Sequence, residues 1–389
     1  MTNTQTPYDY VAQMFDQDMR DRIVAFWKTF VQHADEIDGM FSRADGGTAD
    51  IVQIMQALEP VSKDLMWEFG PSDRGHLLCV TAEFRDELRP QARLVMRMAP
   101  DLPRWRFVDA RPPDPPEMLE QVHQNRFRGP ITVEKIEATI AVDGRIDQVA
   151  YGAGSRDDLL SQTLNISTIL LGEEQERDWI GLVDPVPNKG GGLLGLFRGN
   201  KSAPFDGNAW LDMMQTRIKQ AQGLMPDVPY SKLDMDTRPY TVASELNLRP
   251  DHRRNDLITF TASNETYLQA ALRGGLFSSR CHSRFGEWFM YLRVPTVPDG
   301  PFDTLTERAW LEERLHELLS ENGRGGVVAA GHGSESEYID IAVTDVGAAV
   351  ALIQADIVDV PFASGATLHF LDTGVEDYVL PATANHIVH

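Results

Sequence analysis

Cysteine is scarce: Cys79 and Cys281 are the two in 389 residues, and neither belongs to a Cys-x-x-Cys pair. So separated a pair builds no disulfide framework. Cys79 sits inside the apolar run His76 to Val80 and reads as a small buried hydrophobe rather than a nucleophile. The ten histidines never fall into His-Glu-x-x-His, His-x-x-x-His or mixed Cys/His spacing, so no metal and no cofactor is expected. Gly-x-Ser-x-Gly is missing, as is a glycine-rich turn that follows a strand and opens a helix. Catalytic triads assemble from residues remote in sequence, so a hydrolase is left open without being indicated.

Positive charge is also in short supply. Lys and Arg number 36 against 58 Asp and Glu, a net charge of −22. Such a balance repels phosphate backbones and argues against nucleic-acid binding. It favours basic partners instead. No apolar run is long enough to span a bilayer. Met1 to Tyr10 lacks a basic stretch followed by an apolar one, so no secretory leader is expected and the cytoplasm is the expected compartment. Gly195 to Ser202 approaches a phosphate loop and fails, because Leu194 occupies the first glycine position and Asn200 separates Gly199 from Lys201.

What is present is the composition of a folded chain: 42% hydrophobic and 24% charged residues exclude global disorder. At 389 residues two domains are expected. The expected fold class is α+β, with two sheet-containing halves and an N-terminal helical segment. The most legible stretch runs from Arg284 to Leu371. It reads as strand (Phe285 to Val294), helix (Thr304 to Asn322), strand (Gly326 to Ala330), strand (Tyr338 to Val343), helix (Val346 to Ile357) and strand (Thr367 to Leu371). That order is the β-α-β-β-α-β pattern of a ferredoxin-like unit.

Local chemistry supports each element. Thr304-Leu305-Thr306-Glu307 matches a capping box, and Leu311, Leu315, Leu318 and Leu319 recur at helical spacing. Thr344 and Asp345 are good caps for the second helix, which buries Val350, Ile353 and Ile357. Gly331-His332-Gly333-Ser334 reads as a turn between two strands. Alternation puts Ile339, Ile341 and Val343 on one face and Tyr338, Asp340 and Ala342 on the other. The two helices cover one face of this sheet. The other would carry some of Tyr338, Asp340 and His369, with either Phe289 and Tyr291 or Trp288 and Met290.

Upstream, residues 1–60 form the helical segment, with one long amphipathic helix over Tyr8 to Asp38 whose stripe is Met19, Ile23, Phe26, Trp27, Phe30, Ala34 and Ile37. Residues 61–186 make the first α+β domain, with hairpins around Gly70-Pro71-Ser72-Asp73 and Asp143-Gly144 and a helix over Asp157 to Trp179. Residues 187–208, rich in glycine, read as a linker or loop. Residues 209–389 make the second domain, ferredoxin-like over 284–371. Both halves are α+β, yet their residues do not align well enough to establish a duplication.

Asp234-Met235-Asp236 lacks the further oxygen ligands of a calcium loop and reads as solvated turn carboxylates. The sheet aromatics raise RNA stacking, but the basic-Gly-aromatic-Gly-aromatic signature is missing. The leading expectation is therefore a non-enzymatic protein that binds another protein, such as an acidic inhibitor or immunity-type protein acting on a basic partner. Its binding residues would be Tyr338, Asp340, His369 and Tyr291. The alternative is a hydrolase-like enzyme with a site between the halves, built from His332, Asp340 and His369. A third reading is a scaffold that docks through Gly190 to Gly199.

Overall fold

A computed structural model describes residues 4–41, 48–188, 205–233, 241–246, 248–296 and 302–382. The chain is mixed helix and sheet and divides into two units, one of Gln5–Arg111 with Thr373–Tyr378, the other of Pro112–Asp372 with the strand that begins at Val379. The glycine-rich stretch at 189–204 and the Asp234 to Asp236 carboxylates lie outside the described residues.

In the first unit, α1 (Pro7–Met14) opens on a capping box: Asp9 N donates to Thr6 Oγ1 at 3.1 Å and Thr6 N to the Asp9 carboxylate at 3.3 Å. A second helix, α2 (Gln17–Phe41), follows at once. The single helix expected over 8–38 is split because Phe15 turns extended and the Asp16 carboxylate accepts the Met19 amide at 2.9 Å, starting a new helix. The apolar stripe of α2 is buried as its spacing predicts. After α3 (Thr48–Met55) come β1 (Met66–Ser72), β2 (Gly75–Thr81), α4 (Arg89–Arg97) and β3 (Trp105–Val108). β2 pairs antiparallel with β1 and parallel with β3. The core between α2 and this sheet is aromatic: Trp27 packs on Phe107 and Phe30 on Trp105, with ring centres 4.8 and 5.0 Å apart. The Trp27 indole N–H finds the Val95 carbonyl at 2.9 Å, so burying the ring leaves no polar group unpaired.

The second unit begins with α5 (Leu119–Phe127), β4 (Val133–Ile140), β5 (Ile146–Gly152), α6 (Arg156–Leu171), α7 (Glu173–Trp179) and β6 (Ile180–Pro187). β5 pairs antiparallel with β4 and parallel with β6. The helix expected over 157–179 is broken at Gly172, whose φ of +78° an L-residue adopts only with strain. α8 (Gly207–Gln222) then leads to β7 (Thr241–Ser244), β8 (Leu257–Ala262), α9 (Glu265–Arg273), β9 (Trp288–Pro295), α10 (Thr304–Glu321), β10 (Gly325–Gly333), β11 (Ser336–Val343), α11 (Val346–Ile357), β12 (Thr367–Phe370) and β13 (Val379–Pro381).

These last strands form one sheet in the order β13-β12-β9-β11-β10-β8-β7, antiparallel throughout. It is seven strands wide where the sequence suggested four. β8 and β7 extend it past β10, and β13 extends it past β12. Two local expectations also change. α10 begins at Thr304 as expected, but its N-cap is Asp303 rather than Thr304, and Thr306 Oγ1 donates to Asp303 Oδ2 at 2.8 Å. His332 is not in a turn, because β10 continues through Gly333 and the chain reverses at Ser334 and Glu335. Gly325 begins β10 at φ +149°, and a methyl group there would overlap the Ala342 carbonyl oxygen, so only glycine lets the two strands meet.

Candidate functional site

Strand register brings four of the expected binding residues into one neighbourhood. Asp340 on β11 lies opposite Tyr291 on β9, which in turn lies opposite His369 on β12. Tyr338 is two residues before Asp340 and so shares its face. The Tyr291 and His369 rings stack with centres 4.6 Å apart and planes 2° from parallel. Tyr291 also meets Tyr338 at 6.0 Å.

That face is closed over three of the four, and His369 is half-buried. Tyr338 and Asp340 are fully buried and Tyr291 nearly so. α9 and the loop before β8 lie over them. Arg254, in that loop, donates through Nη1 to both Asp340 oxygens at 2.9 and 2.8 Å. Tyr267 of α9 donates its hydroxyl to Asp340 Oδ2 at 2.6 Å. The Arg254 guanidinium is enclosed by rings, 4.9 Å from Phe260, 4.8 Å from Tyr291 and 6.0 Å from Tyr338. Its Nη2 reaches the Ala271 carbonyl at 3.3 Å. Tyr338 in turn gives its hydroxyl proton to Asp256. Tyr230, Phe277 and Phe289 continue the cover as a buried apolar cluster.

Electrostatics follow from that enclosure. Burial lifts the Asp340 carboxyl above its ordinary range, against the pull of Arg254 and Tyr267. Burial also weakens the hold of Arg254 on its proton, and the charge of Asp340 more than restores it. Burial lowers His369 to about 4, helped by Arg293, Arg253 and Arg254, so its ring is neutral near pH 7. Its Nε2 lies 2.8 Å from Thr367 Oγ1.

His332 stands apart from this cluster. It is opposite Glu337, and Glu337 precedes Tyr338, so the pair faces the other side of the sheet. His332 Nδ1 meets Glu337 Oε1 at 2.6 Å, and Arg308 of α10 donates to Glu337 Oε2 at 3.1 Å. Of the three residues weighed as catalytic, Asp340 and His369 therefore share one face and His332 lies on the opposite one. Chemically, the Asp340 cluster is a buried ion pair, its carboxylate accepting from Arg254 and Tyr267.

Sequence reasoning missed Arg254. It sits in Arg249-Pro250-Asp251-His252-Arg253-Arg254, which reads as a solvated charged loop, and its partner is 86 residues away. It missed a second buried polar group as well, the loop Ser278 to Ser283. Ser279 donates both its amide, at 2.8 Å, and its hydroxyl to Asp372. Ser278 Oγ donates to Asp178 at 3.0 Å and Ser283 Oγ to Glu287 at 2.7 Å. Burial raises Asp372 to about 6 despite the Ser279 bonds. It pushes the Cys281 thiol well up, which removes that sulfur as a nucleophile near neutrality.

Among the described residues no group of three or more His, Cys, Asp or Glu is placed to hold a metal ion, and no helix is long and apolar enough to cross a membrane. Comparison with family models, curated proteins and solved structures returned no match.

Proposed function

We propose that the chain is a non-enzymatic, cytoplasmic protein that binds a basic protein partner, with an acidic inhibitor or immunity-type protein as its concrete form. One observation carries the reading. The groups that chemistry would need on the C-terminal sheet are spent on one another, Asp340 on Arg254 and Tyr267, and Glu337 on His332 and Arg308. With 58 Asp and Glu against 36 Lys and Arg, the carboxylates outnumber the chain's own Lys and Arg by 22, which leaves a net charge of −22. A field of that sign speeds and orients encounter with cationic surfaces. The order β12-β9-β11-β10, threaded by α10 and α11, supports a ferredoxin-like unit as the frame, widened by the added edge strands.

The test is affinity capture from the native host with the full chain as bait. A basic protein should be recovered at one-to-one stoichiometry in low salt and should weaken steeply as salt rises, since screening shortens the reach of exposed charges to about 8 Å at physiological ionic strength. Recovery of no stoichiometric partner at either low or moderate salt would overturn the proposal.

A further inference from the structure

Resting on the reading above, we propose that the partner docks through a groove between the start of α10 and the end of α11, and that it presents a bulky apolar side chain flanked by Lys or Arg. The groove has a volume of about 550 Å³ and is lined by Phe302, Trp310, Pro361, Phe362, Glu307 and Asp359. Phe362 is buried and forms the floor, with Phe302 meeting it edge-on at 5.9 Å.

Two independent features argue for that occupant. The first is apolar exposure in the lining itself: Phe302 is 38% exposed and Trp310 42%. Apolar residues exposed singly are ordinary, whereas apolar surface gathered in one cleft and rimmed by charge marks an interaction surface. Aromatic anchors of this kind dominate binding energy where a partner excludes water from them.

The second feature is the sign of the rim. The basic residues on α10 are committed. Arg308 serves Glu312 at 2.9 Å and Glu337 at 3.1 Å. Arg314 grips Asp356 through two bonds, at 2.6 and 2.8 Å, and lies over the Trp310 ring at 5.3 Å. Glu307 and Asp359 pair with no cation among the described residues. α11 also ends at Ile357, beside Asp359, where the partial negative charge of a helix C-terminus favours a cation. An apolar cleft edged by unpaired carboxylates fits a basic segment with an apolar anchor. It disfavours an acidic segment or a membrane of anionic lipid.

Fluorescence anisotropy with the full chain tests this. The probe is a labelled twelve-residue Lys/Arg-rich peptide with one central leucine, set beside versions with central alanine or with Glu in place of the basic residues. Saturable binding of the leucine peptide is expected, about tenfold or more weaker for the alanine and acidic peptides. The variants Trp310→Ala and Glu307→Lys/Asp359→Lys should each weaken it by a similar factor, with far-ultraviolet dichroism and unfolding midpoint checked for each. Asp227→Lys, an exposed loop charge elsewhere in the unit, should leave it unchanged.

No binding of the leucine peptide, equal binding of the alanine peptide, or equal weakening by Asp227→Lys would each overturn the groove. So would sedimentation showing a dimer of this chain that the groove variants dissociate. If the captured host partner binds the groove variants as tightly as the unaltered chain, the groove fails while the protein-binding reading stands. If the unaltered chain captures none, that reading itself fails.

Discussion

Replacing Asp340 with alanine is expected to cost the second unit about 3–5 kcal/mol, because it strands the Arg254 guanidinium, 1% exposed, without its counter-charge. Arg254→Met should cost a comparable amount by leaving the carboxylate with the Tyr267 hydroxyl alone. The double replacement Arg254→Met/Asp340→Leu should recover most of either loss. Desolvating both charges is costly, and a well-packed apolar pair of similar volume does without that cost. Urea unfolding of the four proteins, compared at unchanged m-value, measures the cycle. Single losses below about 1 kcal/mol would place the pair in water, where exposed ion pairs have that small worth.

The next largest effect is on pH dependence. His282 is almost wholly buried against Phe277, at a ring distance of 4.8 Å, and its Nδ1 has no hydrogen-bond partner among the described residues. Burial lowers it to about 3, with Asp143 opposing and Arg145 reinforcing. An unfolded histidine takes up its proton near pH 6.5. Below that pH the unfolded chain gains a proton the folded chain refuses, so stability is fully present above about 6.5 and is lost as the pH falls towards 3. His369, lowered to about 4, acts in the same direction. Each contributes a slope of about 1.4 kcal/mol per pH unit.

Asp372 works the other way. Raised to about 6, it binds its proton more readily folded than unfolded, which adds stability as the pH falls from about 6 to about 4. His282→Phe should therefore leave the Asp372 contribution and remove one histidine slope. Relative to the unaltered chain, the variant should lose about 2 kcal/mol less between pH 7 and pH 5. Parallel pH profiles for the two proteins would show that His282 is protonated in the fold.

Much of the architecture was legible because it is written in local pattern. The stripe of α2, the strand alternation of β11 and the caps of α11 depend on near neighbours, and each formed where its spacing predicts. Breaks were harder. Phe15 and Gly172 each end a helix whose apolar period continues, and the break is set by one residue's backbone rather than by the pattern. The width of the sheet was illegible for another reason. β8 is a short segment that joins it by pairing to β10, many residues downstream, and β7 joins it by pairing to β8.

The candidate site divides along the same line. Period-two alternation put Tyr338, Asp340, Tyr291 and His369 on one face, since alternation needs nothing distant. It said nothing of what lies above that face. Arg254 and Tyr267 arrive from segments that read as a charged loop and an ordinary amphipathic helix, and their target is a single carboxylate 86 and 73 residues away. His332 was misplaced because two glycines flank it and suggest a turn, whereas here they are strand residues in close contact with neighbouring chain.

On the face that carries Tyr291, Tyr338 and Asp340, the cover provided by α9 and the Arg254 loop excludes water from those three side chains. Tyrosine ionisation reads this directly, by NMR of ¹³Cζ-labelled tyrosine across alkaline pH. Burial raises Tyr267, Tyr291 and Tyr338 above the ordinary value near 10, so their signals should hold still through pH 10 and move only as the protein unfolds. Native-state ionisation of Tyr291 or Tyr338 near 10, reversible and without loss of fold, would mean that water reaches that face and would contradict the claim.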